Sequence, residues 1–159
     1  MNKKKKKGQS HSTRPSSGIA PRWIQFTPEE AEAIVVELAR KGYPPSMIGV
    51  ILRDQYGIPL AKTVAGQKIG EILEKHGIKL TVPEDLYNLM KRAVNLRNHL
   101  AVNPKDTHSL DGLVEIESKI HRLVKYYKRI GKLPEDWSYK PEEASVLVSQ
   151  PLYRLESSK

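Results

Sequence analysis

The chain has 159 residues, 38% of them hydrophobic, with a formal net charge of +9 and no cysteine. That length suits one domain, or one domain with a small appendage, while the modest apolar fraction predicts a thin core and an elongated shape. The missing cysteine excludes disulfides and thiolate metal sites, and with no membrane-spanning apolar run and no signal-peptide segment at MNKKKKKGQS, a soluble cytoplasmic protein is expected.

Charge is unevenly spread. Residues 1–27 carry +7 with no acid, residues 28–83 are neutral, residues 84–131 carry +3 and residues 132–159 carry −1. A basic arm and a moderately basic segment flank a neutral module, a distribution that points to a polyanionic partner.

Residues 1–27 open with five consecutive lysines and continue as GQSHSTRPSSGIAPR. Little here can form a core, so a disordered arm is expected, one that orders on RNA with Arg14 and Arg22 as candidate contacts. A solubilising tail is the competing reading. Residues 28–80 predict a three-helix module. Thr27-Pro28-Glu29-Glu30 supplies cap, proline and acids in order, followed by the stripe Ala31, Ile34, Val35, Leu38 and Ala39 up to Gly42. Pro44-Pro45-Ser46 opens a second helix with Ile48, Val50, Ile51, Leu52 and Tyr56, stopped by Gly57. A third is expected over Thr63–His76, ending at Gly77. Three short helices could form a helix-turn-helix DNA reader with Thr63, Gln67 and Lys68 at the groove. Its zero net charge argues against that, because phosphate neutralisation supplies most DNA affinity.

Residues 81–131 predict a long antiparallel helical hairpin. Pro83-Glu84-Asp85 suits a helix start, and Leu86, Leu89, Met90, Ala93, Val94, Leu96 and Leu100 give a one-sided stripe. Asn103-Pro104 ends this arm, since the residue before proline avoids the helical region. Asp106 is the expected N-cap of the second arm, with Leu110, Leu113, Ile116, Ile120, Leu123, Val124 and Tyr127 as its stripe. The short loop sets His99 beside Asp106, His108 and Ser109. Lys119, Arg122, Tyr126 and Arg129 recur at three- and four-residue steps on a second, basic face. Ser109 and Tyr126 stand seventeen positions apart, roughly 25 Å along a helix. Two separated polar surfaces on one rigid hairpin suit a folded RNA better than a small substrate. Lys91, Arg92 and Lys105, on the exposed sides of the arms, join Lys119, Arg122 and Arg129 as candidate phosphate contacts. Tyr127 is expected inside and Tyr126 outside. After the hairpin, residues 132–159 hold only sparse anchors, Trp137, Tyr139, Val146 and Leu147, and an irregular, strand-less tail is expected. Nothing is assigned to the last eleven residues.

The trio Asp106, His108 and Ser109 also invites a hydrolase reading. Consecutive side chains near a helix start diverge by about 100°, and no GxSxG elbow or oxyanion loop surrounds the serine. Zinc through His99, His108 and His121 lacks a compact ligand spacing. Neither an enzyme nor a metal or other cofactor is expected. At the tip, Asp106 is a good cap by itself, and Ser109 sits where a capping partner belongs.

The stretch His99-Leu100, Asn103-Pro104-Lys105-Asp106-Thr107-His108-Ser109, Gly112-Leu113, Lys119-Ile120 and Tyr126-Tyr127 resembles the family of small-subunit ribosomal protein fifteen. The runs PEDLYNLMKRAVNLRNHL and IESKIHRLVKYYKRIGKLPEDWSY resemble its archaeal and eukaryotic long form, the archaeal one in particular, over about Thr13 to Val148. The resemblance implies an all-α structural protein of the small ribosomal subunit. It implies that His99, Asp106 and Ser109 meet the minor groove of a purine-rich internal segment of small-subunit ribosomal RNA, and that Tyr126 lies near a three-way RNA junction. It further implies neighbouring ribosomal proteins as partners and a place in the subunit's central region, with large-subunit RNA within reach at the subunit interface. The free protein is expected to be a monomer, and the alternative function is a helix-turn-helix transcription regulator.

Overall fold

The computed structural model describes residues 21–155. Seven helices and two short strands follow in the order α1 (Pro28–Arg40), α2 (Pro45–Asp54), α3 (Ala61–Ala65), α4 (Ile69–Lys75), β1 (Ile78–Leu80), α5 (Glu84–Val102), α6 (Thr107–Arg129), α7 (Pro141–Ser149) and β2 (Tyr153–Leu155). The fold is all-α apart from the antiparallel β1–β2 pair.

The first helix starts as its capping signal dictates. Thr27 Oγ1 accepts the Glu30 N–H at 3.3 Å and the Glu30 carboxylate accepts the Thr27 N–H at 2.8 Å, which satisfies two helix-end donors at once. Its stripe packs with α2 and α4 into a first core that includes Val35, Leu38, Ile48, Leu52, Ile58 and Ile72. The three-helix expectation is corrected in the last element: residues 63–76 are not one helix. Gly66 adopts φ 73°, a left-handed conformation that ends α3 after five residues. The chain restarts at α4, where the Glu71 carboxylate accepts the Lys68 N–H at 2.9 Å. Thr63 is held too, its hydroxyl donating to the Leu60 carbonyl at 2.8 Å. The five-residue α3 therefore offers no recognition helix for a DNA groove.

Residues 1–20, with the lysine run and Arg14, lie outside the described residues. The expectation that little in residues 1–27 can form a core is corrected at Ile24 and Phe26, which are partly buried against the first core; the Phe26 ring meets Tyr56 edge-on at 6.0 Å.

The second core lies in the hairpin, where Leu86, Met90 and Ala93 of α5 meet Leu113, Ile120 and Val124 of α6. The arms pack closely at Gly112, where an added Cβ would make ordinary contact with Leu96 at 3.8 Å. Arg97 of α5 and Glu117 of α6 form an ion pair across the arms. One stripe residue of the hairpin departs from expectation, as does Val50 of α2, which is exposed. Leu110, in the first turn of α6 at the open end of the hairpin, is 51% exposed.

The irregular C-terminal tail is also corrected. Pro141, Glu142 and Glu143 open α7, which packs on α5 through Ala144 and Val148. The chain then crosses to the other core: β2 pairs with β1, Thr81 donates its N–H to the Leu152 carbonyl at 3.1 Å, and the Tyr153 hydroxyl donates to the Tyr43 carbonyl at 2.6 Å. The segment is ordered because it closes apolar surface on both cores, a long-range gain invisible in its own composition.

Candidate nucleic-acid interface

The hairpin turn brings the last turn of α5 against the first of α6. The Asn103 N–H donates to the His99 carbonyl at 2.8 Å, Pro104 stops the helix, and Asp106 begins the next one. Asp106 Oδ1 accepts the Ser109 backbone N–H at 3.0 Å, the expected N-cap bond. Its Oδ2 accepts twice, from Ser109 Oγ at 2.6 Å and from His99 Nε2 at 3.0 Å. A proton on Nε2 follows from the carboxylate it faces, and the Asn103 side-chain amide stands 3.4 Å from Nδ1. These bonds favour the ionised acid: the Ser109 hydroxyl first, then its backbone N–H, then His99 hold the Asp106 carboxyl well below the usual carboxylate range.

The array has a direction. Ser109, half-buried, gives its only hydroxyl proton to Asp106, so its Oγ keeps acceptor capacity alone. A serine bonded to the acid instead of the imidazole is also wired against nucleophilic activation, which needs serine on histidine and histidine on acid. His108, expected in the cluster, is not brought into it; it is exposed, as is Lys105, and neither side chain forms a hydrogen bond or ion pair among the described residues. Asn103 is the residue that sequence reasoning missed. Its signal was available, since it follows His99 by four positions, one helical turn.

Farther along α6, Lys119, Arg122, Tyr126 and Arg129 are all exposed on one face. The Arg122 guanidinium is steadied by the Ser118 carbonyl at 3.2 Å, Lys119 lies 3.6 Å from Glu115, and Arg129 sits 5.8 Å from the centre of the Tyr126 ring. Tyr126 is 45% exposed. Tyr127 points inward as expected, its hydroxyl 2.7 Å from both Asp85 oxygens; burial first, then Asp85, push its phenol pKa up. Arg22 is exposed near the first core, and Lys91 and Arg92 lie exposed on α5. Among the described residues no group of three His, Asp or Glu side chains is placed to hold a metal, and no helix is long and apolar enough to cross a membrane.

Two family patterns match this sequence. Residues 69–147 match the family described as ribosomal protein S15, and residues 1–58 match the ribosomal S13/S15 N-terminal domain. Among curated proteins, the chain is similar to the small ribosomal subunit protein uS15 of Hyperthermus butylicus, 61% identical over 97% of this chain and 96% of the relative. The corresponding protein of Staphylothermus marinus is 65% identical over 94% of this chain and 98% of its own length. That of Sulfolobus acidocaldarius is 56% identical, with 96% and 100% covered.

Proposed function

The chain belongs to the ribosomal protein S15 family, in its archaeal branch, and from that premise we propose that it is a structural constituent of the small ribosomal subunit which clamps ribosomal RNA at two places. The hairpin tip, through His99, Asp106 and Ser109, reads the minor groove of a purine-rich internal helix. The α6 face, through Lys119, Arg122, Tyr126 and Arg129, sits against a three-way junction, with phosphates neutralised by the bases and an unpaired nucleotide stacked on the Tyr126 ring. Lys105 and His108, free at the tip, reach for the flanking phosphates, and Arg14 and Arg22 do so from the arm. No catalysis is involved; the protein stabilises the central domain during assembly, beside other ribosomal proteins and within reach of large-subunit RNA. It is monomeric when free and works on cytoplasmic ribosomes.

The observation that carries this reading is the orientation of the tip. The Asp106 carboxylate holds both the His99 and Ser109 side chains, and Ser109 Oγ, having given its proton, is left as an acceptor. The wide minor groove of an RNA helix displays guanine amino groups and 2′-hydroxyls, which donate to such acceptors. Sedimentation tests it: tagged protein should travel with small subunits and, alone, bind junction RNA as a monomer. Dimerisation and a preference for duplex DNA with paired half-sites would overturn the proposal.

A further inference from the structure

The outer face of α5 is unlike the rest of the hairpin. Asn88, Lys91, Asn95 and Asn98 recur at steps of three and four, with Arg92 beside them, and all five are exposed. They span ten positions, roughly 15 Å of helix. None of the five side chains forms a hydrogen bond or ion pair among the described residues. Between Asp85 and Asp106 the sequence holds no acid. The two acids that bound this face at its start are engaged elsewhere, Glu84 with Ser46 and Asp85 with Tyr127. The exposed side of α6, by contrast, interleaves Asp111 and Glu115 with its bases.

An ordinary solvated helix face carries charges of both signs in i,i+4 pairs, and asparagine is a poor helix former with no benefit on a bare surface. Three unpaired carboxamides flanked by two unpaired cations are better explained by a ligand. Each carboxamide offers two N–H donors and a carbonyl acceptor, the combination that meets 2′-hydroxyls and base edges, while Lys91 and Arg92 neutralise phosphates. An acidic protein would call for more cations and no amide ladder. Both α6 and α7 pack against α5, and these five residues stay exposed beside them.

We infer that Asn88, Lys91, Arg92, Asn95 and Asn98 form a further RNA-binding face, which takes the shallow minor groove of an RNA segment separate from those held by the tip and by α6. The inference extends the ribosomal reading and rests on it. Full-length protein with Asn88→Ala, Asn95→Ala and Asn98→Ala keeps its fold, because alanine favours the helix. It should bind a short RNA carrying only the junction and the purine-rich helix as wild type does. Its affinity for the complete small-subunit RNA, or for assembled ribosomes, should fall roughly tenfold or more, with an unchanged salt slope, whereas Lys91→Ala with Arg92→Ala should make that slope shallower by about two. A photoreactive benzoylphenylalanine in place of Asn95 should crosslink to RNA in ribosomes. A crosslink to protein, or none, or undiminished binding by the triple variant, overturns the inference. Failure of wild type to enter subunits would instead sink the ribosomal reading, so the two failures are distinguishable.

Discussion

The Tyr153 hydroxyl donates to the Tyr43 carbonyl at 2.6 Å, across 110 positions of chain. Tyr153 belongs to a segment that leaves the hairpin core at Val148 and reaches the first core a few residues later. It works as a strap between two clusters that are also joined by the short link around Val82-Pro83 and the Ser46–Glu84 contact. Deleting residues 150–159 removes β2 and its bonds to β1, Thr81 and Tyr43. Calorimetry should then show the single unfolding transition of the full chain split in two, the hairpin melting near its original temperature. Tyr153→Phe, which deletes one hydrogen bond, should cost only about 1 kcal/mol and keep one transition. A truncated chain that melts as wild type would show that the strap contributes nothing to coupling the two cores.

Gly66 supplies a test with a sign. Its φ is 73° and an added Cβ would meet nothing within 4 Å, so alanine brings backbone strain without a clash. Gly66→Ala should destabilise by about 1 kcal/mol or more, because a left-handed alanine costs roughly 1–2 kcal/mol. Were residues 63–76 a continuous helix, as the spacing of Val64, Ile69, Ile72 and Leu73 suggests, the same change would stabilise. Thermal melts decide between the two directions.

That difference at Gly66 separates what is legible in the sequence from what is not. The hairpin is readable because each of its signals is local: an apolar stripe, a proline stop and an aspartate cap, all found within one or two residues of their expected places. The tip is readable in part. His99, Asp106 and Ser109 converge through a short turn, but the bond from Ser109 to the carboxylate, which leaves its oxygen an acceptor only, is a matter of side-chain direction. Pro141-Glu142-Glu143 repeats the helix-start pattern of Pro28-Glu29-Glu30, yet the apolar residues that follow, Ala144, Val146, Leu147 and Val148, span too few turns to show a three-to-four period. The strand Tyr153–Leu155 has no local signal, since its partner Ile78–Leu80 lies more than seventy positions away and supplies the pairing.

Asp106 should also make stability depend on acidity. Its folded carboxyl titrates below the ordinary carboxylate value of about 3.9. The folded state therefore binds the proton less readily than the unfolded chain. The stabilisation is complete above that ordinary value and is lost as pH falls through it towards the folded pKa. Asparagine at this position caps comparably but carries no charge. The advantage of wild type over Asp106→Asn in melting temperature should be full at pH 7 and shrink steadily below about pH 4. An advantage that is constant from pH 7 to pH 2.5, roughly the span around that value, would mean that the carboxylate is not held by these bonds.

A final test concerns which atom of the tip meets the RNA. An ionised carboxylate has about two acceptor positions on each oxygen. Oδ2 already accepts from Ser109 Oγ and His99 Nε2, and Oδ1 from the Ser109 N–H. One position on Oδ1 remains, whereas no hydrogen bond among the described residues uses the acceptor capacity of Ser109 Oγ. If the tip meets the groove as proposed, Ser109 is the expected reader of a guanine amino group and Asp106 the residue that holds it. Replacing that guanine by inosine deletes only the amino group and should cost wild type roughly 1–3 kcal/mol of affinity. Ser109→Ala keeps the backbone cap bond, so its melting temperature should hold, but it should bind the guanine and inosine RNAs almost equally. Asp106→Ser retains a capping oxygen and frees the Ser109 hydroxyl to rotate, so discrimination should be reduced without vanishing. If Asp106→Ser abolishes the difference while Ser109→Ala preserves it, the carboxylate itself reads the base and the serine only supports it.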